Sequence, residues 1–103
     1  MLLSLKELTA LFKALSDATR LRVVNLLRLQ SLSVGDLQVL LGLSQPTVSH
    51  QLAILRAAEL VRAERQGTRV FYSLARRFLA TLWTDFSAKL SLFSLSSWWM
   101  FRN

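Results

Sequence analysis

Residues 34–55 read VGDLQVLLGLSQPTVSHQLAIL, and the fold turns on how this stretch is divided. Val34, Leu37 and Leu41 recur at helical spacing, and so do Val48, Leu52 and Leu55. Between the two runs stands Leu41-Gly42-Leu43. Gly42 can take the left-handed conformation that closes a helix. Ser33 suits the N-cap of the first helix, with Asp36 in its first turn. Ser44 suits the N-cap of the second, and Pro46 falls in a first turn, where its missing N–H does no harm. The front of the second helix carries Ser44, Gln45, Thr47, Ser49, His50 and Gln51, short and medium hydrogen-bonding groups without ion-pair lacing. A helix that is apolar behind and polar but uncharged in front has the composition needed to read base edges in a major groove. The stretch therefore predicts a helix-turn-helix over 34–57, with a recognition helix over 45–57.

Upstream, residues 2–15 predict a helix with Leu5, Leu8, Phe12 and Leu15 on one stripe, widened by Leu3 and Leu11. That stripe is broad for the terminal helix of a monomer. It serves either the chain's own core or a contact with a second copy. A second helix restarts after Ser16 or Asp17 and continues through Leu21, Val24 and Leu27 to about Leu29. Arg20 and Arg22 lie early in it, placed either for phosphate or, for Arg20, for an ion pair with Asp17 or Asp36. Residues 30–33 form a short link or the stub of a strand.

Downstream the period changes. Residues 60–65 and 69–74 are β-prone runs joined by the Gly-bearing Gln66-Gly67-Thr68, which predicts a hairpin over 60–74. Arg65, Thr68 and Arg69 gather near its tip, and Arg56 precedes it. A hairpin directly after a recognition helix is a wing. From Arg56 to Arg77 six Arg stand against two Glu, so the positive charge concentrates here. Such a run is either a solvated face or a phosphate-binding one, and its place beside the helix-turn-helix favours phosphate. Residues 75–93 predict a last helix with Phe78, Leu82, Phe86 and Leu90 on one stripe and Trp83 beside it. Residues 94–103, SLSSWWMFRN, are too apolar for a free tail.

Composition narrows the function classes. The chain has 103 residues, 52% of them hydrophobic, with a net charge of +7 built from ten Arg and three Lys against six carboxylates. One domain of this size holds a modest core and gains from a partner subunit. The Arg bias favours nucleic acid, since the guanidinium fork matches phosphate and guanine, with a membrane surface as the rival reading. With no Cys, one His and no Gly-rich phosphate loop, nothing can be given a catalytic, metal or cofactor role. The amphipathic N-terminus lacks the features of a signal peptide, so the cytoplasm is the expected location.

Several pieces in order then resemble one family. A-L-S-D-A-T-R-L-R, S-Q-P-T-V-S-H-Q-L, L-R-A-A-E-L-V and R-Q-G-T-R-V-F-Y-S-L are similar to the ArsR/SmtB-type winged-helix transcriptional repressors, and the likeness runs from Leu8 to Leu74. The resemblance implies a mainly α fold with a small β-hairpin, in the order α-α-α-α-β-β-α. It implies a single winged helix-turn-helix domain over 1–93, dimerised through first and last helices (1–15 and 75–93). It further implies binding to an inverted-repeat operator in double-stranded DNA and release by an effector. Metal-sensing members carry cysteines where this chain has Ser33 and Gly35. Their input is therefore not carried over, since Ser, Asp and a lone Lys make no tight soft-metal site.

On this reading Ser44, Gln45, Thr47, Ser49, His50 and Gln51, with Arg56, Arg65, Thr68 and Arg69, contact DNA. Leu5, Leu8, Phe12, Phe78, Leu82, Trp83, Phe86 and Leu90 form the dimer interface. A small-molecule effector between the terminal helices is left unidentified, because the same apolar residues also serve as plain dimer core. The competing function is a winged-helix adaptor for protein or a membrane edge, which would depend on Trp98 and Trp99 and not on the recognition face.

Overall fold

The computed structural model describes residues 4–75. The expected last helix, with Phe78, Leu82, Trp83, Phe86 and Leu90, and the tail over 94–103 lie outside the described residues. The order is α1 (Leu5–Leu15), α2 (Ala18–Leu27), β1 (Leu32–Ser33), α3 (Val34–Leu41), α4 (Gln45–Ala57), β2 (Val61–Gln66) and β3 (Arg69–Leu74).

Local chemistry accounts for the boundaries. Ser4 and Glu7 form a reciprocal capping box: Ser4 Oγ accepts from the Glu7 N–H at 3.1 Å, and Glu7 Oε2 accepts from the Ser4 N–H at 3.2 Å. That box opens α1 at Leu5, later than the apolar pattern alone suggests. Asp17 caps α2 by accepting from the Arg20 N–H at 3.1 Å. The helix closes at Leu27, two residues before the expected Leu29. Ser33 and Asp36 form a second capping box at the start of α3, which ends at Gly42 with φ 67°. Ser44 opens α4.

The exit from α4 is a Schellman turn. The Leu60 N–H donates to the Leu55 carbonyl and the Glu59 N–H to the Arg56 carbonyl, both at 2.9 Å. Glu59 holds φ 60° where glycine is usual, a strain of about 1 kcal/mol. Leu60, fully buried, anchors the turn against the core.

The hairpin pairs Val61 with Leu74 through to Gln66 with Arg69, leaving Gly67 and Thr68 as a two-residue loop. Gly67 has φ 66°, which fits the positive first position of a type II′ turn. The wing is more than a hairpin, however. β1 pairs antiparallel with β3, Leu32 opposite Tyr72 and Ser33 opposite Phe71, so β3 is the central strand of three. The linear order expected from sequence lacked this strand as an element, because two residues carry no periodicity of their own.

Each of the four described helices contributes to one core. Leu11 and Ala14 of α1, Val23 and Leu27 of α2, Leu37 of α3, and Val48, Leu52 and Leu55 of α4 are buried with Leu32, Leu60 and Val61. The expected α1 stripe is thus divided. Leu8 and Leu15 pack partly buried against the core, whereas Leu5 is 82% exposed and Phe12 43%. Leu8 belongs to the chain's own interior as much as to any partner.

Candidate nucleic-acid interface

α4 owes its orientation to its inner face. Val48, Leu52 and Leu55, spaced by four and three, are at most 1% exposed. Burying three such side chains stabilises the packed helix by several kcal/mol, about 1.5–3 each. The opposite face is therefore turned outward whatever it carries.

That outward face begins with Ser44, Gln45 and Thr47, all exposed, and continues through the half-buried Ser49 to the exposed His50. Gln45 Nε2 donates to Ser49 Oγ at 2.7 Å, and the Ser44 and Thr47 hydroxyls meet at 2.9 Å. These pairs hold the polar groups in defined positions while leaving the Gln45 carbonyl oxygen available as an acceptor. Pro46 in the first turn brings no unsatisfied N–H. Arg56, exposed in the last turn, lines a recess of about 360 Å³ between α4 and the central strand, with Ser49, Ala53 and Tyr72. Arg65 and Thr68 are exposed at the wing's end.

Two residues expected at the interface are held elsewhere. Gln51 does not stand free on the front of α4. Its Oε1 accepts from Arg20 Nη1 at 2.9 Å, so it faces the body of the domain. Its sequence position carries the signal: it lies three residues after Val48 and four before Leu55, on the border of the buried face. Arg20 itself bridges to Gln51 and to the Ala14 carbonyl, in place of the ion pair with Asp17 or Asp36.

Arg69 is the second. Its Nη2 donates to Ser33 Oγ at 3.0 Å and lies 3.7 Å from Asp36 Oδ1, while the guanidinium stacks 5.3 Å from the Phe71 ring centroid. Arg69 stands at the turn end of the wing, paired with Gln66, and its side chain fastens that end to the N-terminus of α3. Backbone and then side-chain hydrogen bonding from Ser33, with a smaller contribution from the Arg69 charge, holds the Asp36 carboxyl below its ordinary value of 3.8, against a smaller upward push from burial. Ser33, 5% exposed, is occupied in the same network.

Among the described residues no helix is long and apolar enough to cross a membrane.

Comparison with known proteins points the same way. The family described as bacterial regulatory protein, arsR family, matches residues 17–63. The chain is similar to a transcriptional repressor SmtB homolog of Synechocystis sp., 40% identical over 80 residues that cover 78% of this chain and 61% of that protein. It thus spans less than two thirds of that relative's length. It is also similar to the transcriptional repressor SdpR of Bacillus subtilis, 40% identical over 63 residues, 61% of this chain and 70% of that one. Among solved structures it resembles the homodimeric winged helix-turn-helix DNA-binding domain of a possible ArsR-family regulator from Mycobacterium bovis. The TM-score there is 0.71 at 29% identity, covering 84% of this chain and 81% of that one.

Proposed function

The chain belongs to the ArsR family of bacterial regulatory proteins, and on that footing we propose that it is a sequence-specific DNA-binding transcriptional regulator, a homodimeric repressor of an inverted-repeat operator. The observation that carries the reading is the two-sided character of α4. Behind it Val48, Leu52 and Leu55 are sealed in the core; in front Gln45, Thr47 and His50 are exposed, hydrogen-bonding and free of lacing charge. Gln45 and His50 read base edges, and Ser44, Thr47 and Ser49 support them or contact phosphate. Arg56, Arg65 and Thr68 engage the backbone and the neighbouring minor groove. The exposed Leu5 and Phe12 of α1 face the second subunit, together with the last helix. Two copies related by a two-fold axis place half-sites about one helical turn apart, or a multiple of it.

Selection from a pool of random duplexes, followed by fluorescence titration, tests the reading. One inverted-repeat sequence is enriched. Gln45→Ala or His50→Ala costs about 1–3 kcal/mol on it and little on shuffled DNA, whereas Arg65→Ala weakens both and lowers the salt slope by about one. A pool with no enriched sequence overturns the assignment.

A further inference from the structure

One guanidinium joins three helices behind the reading face. Arg20, in the first turn of α2, donates from Nε to the carbonyl of Ala14 near the end of α1, and from Nη1 to Gln51 Oε1 at 2.9 Å in the middle of α4. The contact to Gln51 spans 31 positions of sequence. Arg20 is partly buried, and its own N–H is held by Asp17 at 3.1 Å, so both ends of the side chain are anchored.

The chemistry of the pair is specific. A guanidinium carries only donors in a rigid plane, so two acceptors on different helices fix its orientation. The Ala14 carbonyl is among the last four of α1, which lack helical partners and lie at the negative end of the helix dipole. Gln51 meets Arg20 through its oxygen. A glutamine that reads adenine needs oxygen and amide nitrogen together. The bond to Arg20 turns the Gln51 amide toward the body of the domain and draws Arg20 away from a phosphate.

We propose, building on the DNA-reading assignment above, that Arg20 is a positioning residue: through Gln51 it sets the rotation of α4 about its own axis and ties it to α1. The apolar contacts of Val48, Leu52 and Leu55 are non-directional and hold α4 against the core. The hydrogen bond adds an angular constraint, and it acts on the border of the face that Gln45 and His50 occupy. Arg20 and Gln51 then matter for sequence preference without either touching a base. The same guanidinium passes any movement of the last turn of α1 to the reading face.

The test uses the full chain, the duplex that the wild type enriches from a random pool, and a shuffled duplex of equal composition. Arg20→Lys keeps the charge and loses the two-acceptor fork. It is expected to lower the preference for the enriched duplex by about tenfold and leave shuffled DNA within about twofold, as does Gln51→Ala. The double variant is expected to be no worse than the stronger single one, because both remove one interaction. Gln51→Glu still accepts from Arg20 but has no amide donors, and is expected to keep the preference within about threefold. Unchanged preference in Arg20→Lys overturns the proposal. So does an equal loss on both duplexes with a lower salt slope, which marks a phosphate contact. Loss of preference in Gln51→Glu alone also overturns it, since Gln51 is then a base reader. A wild type that enriches nothing overturns the DNA-reading assignment itself, a result distinct from all of these.

Discussion

α1 and α4 are of similar length, 11 and 13 residues, and both bury one face in the same core, yet their outer faces are opposites. α4 turns Gln45, Thr47 and His50 outward. α1 turns out Leu5, 82% exposed, and Phe12, 43% exposed, each followed by a lysine, Lys6 and Lys13. Folding constrains only the inner faces. What a helix carries on its other side is set by what it must meet. Fixed hydrogen-bonding groups suit an edge of donors and acceptors, whereas large exposed apolar groups suit another protein surface. On the proposed function, one small domain holds a face for nucleic acid and a face for a copy of itself.

The contrast breaks most visibly at the inner face of α4. Leu52→Ala removes a side chain only 1% exposed, with an expected loss of about 2–5 kcal/mol, whereas Leu5→Ala on α1 costs under about 0.5 kcal/mol. Denaturant unfolding of both variants reads the difference; comparable losses would mean that Leu5 is part of the chain's own core.

A smaller effect concerns association. Leu5→Asp puts a carboxylate at the first position of α1, where the helix dipole favours it, so the fold is retained. Dimer dissociation is expected to strengthen about tenfold or more, because a charge would be buried unpaired at the interface. Sedimentation across a concentration series reads it, and an unchanged dimer would move the interface off the outer face of α1.

The smallest effect lies between the two helices, at the cap of α3. Hydrogen bonds from Ser33 hold the Asp36 carboxyl below 3.8 in the folded chain. A depressed folded value means that the stabilisation is present above the unfolded value and is lost as pH falls through the folded one. Thermal unfolding between about pH 5 and pH 3 is therefore expected to fall less steeply for Asp36→Asn than for the wild type. Parallel curves would show that the cap does not depend on the charge.

What could be read from the chain was what is local. Ser44, Pro46 and Gly42 mark the limits of α4 and the end of α3 because caps act over three or four residues. The polar front of α4 was legible for the same reason. The pairing of Gln51 with Arg20 was not legible, because a helix divided into two faces has no place for a residue on the border and Arg20 comes from another element. Arg69 stands at the turn, as its place in the sequence indicates, but its side chain meets Ser33 and Asp36, more than thirty positions upstream. No spacing in the sequence announces a pairing of that range.

The two residues of β1 carry a consequence of their own. Leu32 and Ser33 lead directly into α3 and zip onto Tyr72 and Phe71 of the central strand, with Arg69 clasped across the join. The start of α3 is thereby tied to the strand that carries the turn end of the wing. In the proposed DNA complex, a recognition helix and a wing tied in this way set a reach along the duplex. Sequences whose twist and groove width match it bind at lower elastic cost, and the fit discriminates among base pairs that no side chain touches.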